Sequence, residues 1–66
     1  MIIRCERLKT KLNGWTVDKV TEDGGYNRVR IWYELYDTSD PDDPIMGNAF
    51  RNRKDAETWA KKHPLR

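Results

Sequence analysis

One cysteine, Cys5, one histidine, His63, and one serine, Ser39, are all this chain has of those three residue types. A lone thiol makes no intramolecular disulfide. One Cys and one His fall short of the four ligands of a structural zinc site. A Ser–His nucleophile pair needs a third, orienting group and a pocket to work in. Ser39 lies in a stretch rich in Asp and Pro, and His63 sits beside Pro64 near the end of the chain. We therefore read the chain as non-enzymatic, with no cofactor and no metal, and Cys5 as a half-buried packing residue. No apolar run approaches the roughly 20 residues of a membrane span, so no membrane partner is expected. Met1-Ile2-Ile3-Arg4 is too short and too soon charged to be a signal peptide's apolar region. A single thiol without an export signal fits a reducing cytosol, so the expected location is cytoplasmic.

What the chain does have is aromatic mass and unevenly placed charge. Three Trp, three Tyr and one Phe stand among 66 residues, and each ring can bury about 150–250 Å². That suits one domain, 1–66, too small to hold a second core. The net charge is only +2, but it is segregated. Arg4, Arg7, Lys9 and Lys11 outnumber Glu6. Glu34, Asp37, Asp40, Asp42 and Asp43 then run without a basic residue among them. Arg51, Arg53, Lys54, Lys61, Lys62 and Arg66 outweigh Asp55 and Glu57. A basic–acidic–basic pattern differs from the uniform excess of a strong nucleic-acid binder.

The clearest element is a strand over residues 26–36. Val29, Ile31, Tyr33 and Leu35 alternate with Arg28, Arg30, Trp32, Glu34 and Tyr36, the period-two mark of a sheet with two unlike faces. Trp15-Thr16-Val17-Asp18-Lys19-Val20 predicts a strand near 15–21, joined to it through Asp23-Gly24-Gly25 as a hairpin. Asn13-Gly14 marks another turn and points to a first strand over 2–8. The two prolines and four aspartates of 37–44 predict a loop, and 45–50 a short return strand with Gly47 at a bulge. A helix over 53–62 follows, capped by Asn52, with Ala56, Trp59, Ala60 and His63 on one face and Glu57 paired with Lys61. Pro64 ends it. Ten residues do not hold a helix alone in water, so it must pack on the sheet, Trp59 against Val29, Ile31, Tyr33 and Phe50. The expected fold is α+β: a three- to four-stranded antiparallel meander covered on one face by a single C-terminal helix.

One helix leaves the other sheet face bare, and Arg28, Arg30, Trp32, Glu34 and Tyr36 should line it. An ordinary solvated face is the plainest account of such a stripe. Yet aromatics at spacing four on an uncovered strand expose apolar area that usually marks contact, and Trp, Tyr and Arg dominate interface hot spots. The same Arg28 and Arg30 beside Trp32 would also suit phosphate and a stacked base. Asp37, Asp40, Asp42 and Asp43 lack the spacing, central Gly and terminal Glu of a calcium loop. They read as a solvated turn or as a negative contact surface. The basic N-terminal segment reads as a solvated edge that resists strand-to-strand aggregation, with a nucleic-acid-binding arm as the alternative.

Gly14-Trp15-Thr16-Val17, the hairpin, and Phe50-Arg51-Asn52-Arg53-Lys54-Asp55-Ala56-Glu57-Thr58-Trp59-Ala60 together resemble a recurring small βββα pattern. In it a strand ends in Phe, a capped helix begins, and an Ala-Glu-x-Trp-Ala face packs down. Phage-type integrases carry an arm-binding domain of this shape that lays its sheet in the DNA major groove, and compact phage and prophage accessory proteins, inhibitors of host defence among them, look similar. The resemblance implies a phage- or prophage-type accessory protein in a host cytoplasm and carries over no functional residue; the stripe and the charge pattern point to docking on another protein and occluding it. Trp32 and Tyr36 would be anchors, Arg28 and Arg30 their flanks, and the acidic loop would face a basic, nucleic-acid-binding partner. DNA or RNA binding by the same face is the alternative, and a homodimer is a third possibility. Glu34 and the 37–43 loop depart from the integrase-like pattern, because they put negative charge where a DNA reader wants positive.

Overall fold

The computed structural model describes residues Ile2–Leu65. Four strands, β1 (Ile2–Arg7), β2 (Thr16–Asp23), β3 (Val29–Asp37) and β4 (Ile45–Phe50), precede one helix, α1 (Arg53–Lys62). The strands form an antiparallel meander in the order β1-β2-β3-β4. The helix packs on one face through β3 and β4. This is the expected α+β architecture, and β1 joins the sheet.

Turn chemistry sets the meander. Asn13 and Gly14 both take positive φ, 49° and 93°. Leu12 and Trp15 exchange backbone hydrogen bonds of 3.0 and 2.9 Å around them, as a two-residue primed turn requires. The second hairpin differs from expectation. Its central residues are Tyr26 and Asn27, at φ 51° and 63°, closed by the Arg28 amide donating to the Gly25 carbonyl at 2.9 Å. The Asp23 carboxylate instead accepts from the Gly25 amide at 3.0 Å. The turn therefore lies beyond Asp-Gly-Gly, and β3 begins at Val29 rather than at Tyr26. Arg28 belongs to the hairpin end.

Parity divides the sheet. Leu8, Val17, Tyr33, Leu35 and Phe50 face the helix, where Val17, Leu35, Ala56 and Ala60 are buried and Trp15 and Trp59 pack at the flank. The two alanines let the helix axis come close to the sheet. Trp59 lies beside them, 5.2 Å from the Trp15 ring and 5.9 Å from Phe50 between centroids. Gly47 is the bulge, since the register steps from Leu35↔Asn48 to Tyr36↔Met46. A Cβ at Gly47 would lie 2.4 Å from Trp15 Cζ3, so the indole occupies the place of a side chain.

Asn52 caps the helix as expected, its Oδ1 accepting from the Asp55 amide at 2.8 Å. Glu57 pairs with Arg53 at 3.1 Å, one turn back rather than forward to Lys61. At the C-terminal end, Asn13 Nδ2 donates to the Ala60 carbonyl at 2.9 Å and Trp15 Nε1 to the His63 carbonyl at 2.8 Å. These bonds satisfy carbonyls that a helix end leaves free and lash it to the β1–β2 turn.

Two expectations fail on length and position. Ten helical residues span about 15 Å, whereas nine strand residues span about 30 Å. The helix therefore stops short of Val29 and Ile31, which stay exposed, while Trp59 makes the expected contact with Phe50 and adds Trp15. Cys5, expected to be half-buried, lies exposed on the edge strand β1.

Candidate docking face

The face opposite the helix is built in rows. Cys5, Val20 and Trp32 lie opposite one another across β1, β2 and β3. Arg7, Asp18, Glu34 and Ala49 form a second row, and Glu22 with Arg30 and Thr16 with Tyr36 form the outer ones. Trp32, Glu34 and Tyr36 stand two residues apart on β3 and therefore point the same way. Their side chains are joined. Trp32 Nε1 donates to Glu34 Oε2, and the Tyr36 hydroxyl donates to Glu34 Oε1, each at 2.8 Å. One carboxylate thus uses both oxygens to fix the two aromatic rings on either side of it.

This clasp has a floor. Val20 is 2% exposed, although it lies outside the cluster under the helix and shares its row with Trp32. Trp32, Glu34 and Tyr36 are half-buried, on the face expected to be left bare. Val20 went unnoticed in the sequence, but its spacing held the signal. Val17 and Val20 are three apart in one strand, so they cannot share a face.

The electrostatics follow from contact. The Tyr36 phenol is pushed up to about 12, first because its hydroxyl donates to Glu34 and next because it is desolvated beside that charge. Arg7 Nε and Asp18 Oδ1 pair at 2.9 Å, which raises the guanidinium further. Within the strands this face holds two cations, Arg7 and Arg30, against three carboxylates, Asp18, Glu22 and Glu34.

The remaining predicted site residues fall at opposite ends. Arg28 and Arg30 are exposed near the β2–β3 hairpin. There Arg30, Trp32, Glu22, Ile31 and Arg51 line an open concavity of about 640 Å³. The acidic loop lies at the other end of β3, about 20 Å away at a strand's rise per residue. Asp37 accepts from the Ser39 hydroxyl at 2.6 Å and its amide at 2.9 Å, and these bonds hold its carboxyl below the usual range. Asp40 accepts from the Asp42 amide at 3.0 Å. Those two aspartates shape the loop, while the Asp42 and Asp43 side chains are exposed. The structure thus brings Trp32, Glu34 and Tyr36 together and sets the basic and acidic residues at the two ends of the face.

Tyr26 is the residue that sequence reasoning misplaced most. It is 98% exposed at the hairpin tip with positive φ, not in a strand. Among the described residues no group of His, Cys, Asp and Glu gathers that could hold a metal ion. No described helix is long and apolar enough to cross a membrane. No protein-family model, curated protein or solved structure matches the chain, so the functional reading rests on the geometry of this face.

Proposed function

We propose that the chain is a non-enzymatic binding protein that docks on a second protein through its open sheet face and occludes the surface it covers. The observation that carries this reading is the Glu34 clasp. Two large aromatics are held in fixed positions, 2.8 Å from one carboxylate, on the face opposite the helix, which none of the described elements packs against. Rings already ordered in the free protein lose little conformational freedom when a partner closes over them. Trp and Tyr set in this way are the usual centres of interface energy. The exposed Asp42 and Asp43 would meet a basic region of the partner and speed encounter, and Arg28 and Arg30 would contact its more acidic end. A phage- or prophage-type accessory protein that blocks a nucleic-acid-binding host factor would act by this kind of steric and electrostatic cover.

Direct binding of DNA or RNA draws on one observation, the concavity lined by Arg30, Arg51 and Trp32. Glu22 shares that lining and Glu34 sits at the centre of the face, where a phosphate backbone would meet like charge. The two readings separate in a pull-down from host lysate with nuclease added. The docking reading expects one protein in stoichiometric yield after nuclease. It also expects Trp32→Ala to weaken that complex by about 2 kcal/mol or more, roughly 30-fold, while circular dichroism still reports a folded domain. Loss of all bound material on nuclease treatment would reverse the choice.

A further inference from the structure

Strand β1 is the least protected element of the molecule. All six of its residues are exposed, Ile2 by 53% and Ile3 by 58%, and among the described residues β2 is the only element it packs against. The Leu8 amide donates to the Val17 carbonyl at 2.9 Å, which fixes the alternation of the antiparallel ladder. Ile2, Arg4, Glu6 and Leu8 bond inward to β2, and Ile3, Cys5 and Arg7 turn their amides and carbonyls outward. Those groups form a ready template for another strand. Two of the usual protections are missing: the register runs unbroken from Ile2 to Arg7, with no bulge and no proline. What remains is the charge of Arg4, Glu6 and Arg7. The opposite edge, β4, does carry a bulge, at Gly47.

We propose that two copies of this chain pair antiparallel along β1 about a two-fold axis at Cys5. Hydrogen bonding requires outward residues to face outward residues, so a symmetric pair must centre on one residue. Centring on Arg4 sets Arg4 against Arg4, and centring on Glu6 sets Glu6 against Glu6. Centring on Cys5 brings Arg4 opposite Glu6 of the second copy, twice, and Ile2 opposite its Leu8, twice. Those residues share the helix-side face. On the other face Ile3 meets the stem of Arg7, and Cys5 meets Cys5. Every outward amide and carbonyl of Ile3, Cys5 and Arg7 gains a partner in this register alone. The lone acidic residue of a basic edge thus marks the register, where sequence alone suggested that the charge keeps strands apart. Both helices fall on one side of the resulting eight-stranded sheet, and both Glu34 clasps on the other.

Sedimentation of the purified chain from about 1 µM to about 1 mM tests this without any partner. The expected mass rises from one copy to two with concentration. Arg4→Glu and Glu6→Arg should each weaken association about tenfold or more, because each sets like charges opposite one another. The double variant Arg4→Glu/Glu6→Arg should restore it to within a few-fold of wild type. A short bis-maleimide should join Cys5 to Cys5 in wild type and in the double variant but not in the singles. A monomer at every concentration, or self-association indifferent to the single reversals, or a double variant that stays weak, would each overturn the pairing. Circular dichroism confirms folding, and these side chains are exposed in the monomer. Failure here would leave the docking reading of the open face untouched, since that is measured on a different partner.

Discussion

The two faces of the sheet bury aliphatic side chains by different means. On the helix side, Val17 and Leu35 disappear beneath Ala56 and Ala60, and coverage comes from a separate element. On the other side Val20 is almost as well hidden, outside the cluster under the helix and opposite Trp32, which is held by a hydrogen bond to Glu34. The first arrangement gains stability by removing apolar area from water, about 1.5–3 kcal/mol for a full Leu. The second gains order: its rings are fixed yet remain half exposed. A small domain can therefore stabilise one face and keep the other for contact.

Four substitutions test that division, beginning with the largest effect. Leu35→Ala should cost about 2–5 kcal/mol. A domain this short holds on the order of 3–10 kcal/mol in all, so the urea midpoint should collapse or the chain should unfold. Val20→Ala removes less volume, and Trp32 can settle toward the gap. Its cost should be clearly smaller, about 1–2 kcal/mol. Equal losses in the two variants would mean that the open face is a second core rather than an ordered surface.

Gly47→Ala falls between those two in size. Its Cβ would meet Trp15 Cζ3 at 2.4 Å and Cη2 at 2.6 Å. The indole is held in turn by its bond to the His63 carbonyl, so it cannot simply swing aside. A loss of about 1–3 kcal/mol is expected, read as a lower melting temperature with altered near-ultraviolet dichroism from the Trp15–Trp59 pair. An unchanged spectrum would show that β4, not Trp15, gives way.

Much of this division was legible beforehand. The parity of β3 was readable because nine residues alternate without a break. The helix was readable because Asn52 and Pro64 bound it chemically. The hairpin tip was not, because Asp23-Gly24-Gly25 is the stronger turn signal, whereas the chain bends at Tyr26-Asn27 two residues later. Nor was the helix's reach, since a ten-residue helix and a nine-residue strand look equal in sequence and differ about twofold in length. Trp32, Glu34 and Tyr36 could be placed on one face by spacing alone. That both aromatics hydrogen-bond to the same carboxylate depends on rotamers, which spacing does not determine.

The smallest effect isolates the clasp itself. Glu34 accepts from a neutral Tyr36, so the bond exists only while the phenol keeps its proton. In the unfolded chain a tyrosine titrates near 10, whereas Tyr36 in the fold is raised to about 12. Between those values the folded state holds more protons than the unfolded one, so stability must fall as pH rises. The clasp's contribution is complete below about pH 10 and is lost by about pH 12. The measurement is a difference, so that contributions common to both chains cancel. Urea midpoints of wild type and Tyr36→Phe are compared from pH 8 to 12. At pH 8 the variant should be less stable by about 1 kcal/mol, the net value of one such hydrogen bond. The gap should close as pH approaches 12, because wild type has then lost the same donor. A constant gap would mean that the hydroxyl contributes something other than its proton to Glu34. No gap at any pH would mean that Trp32 and its floor hold the open face in order without Tyr36.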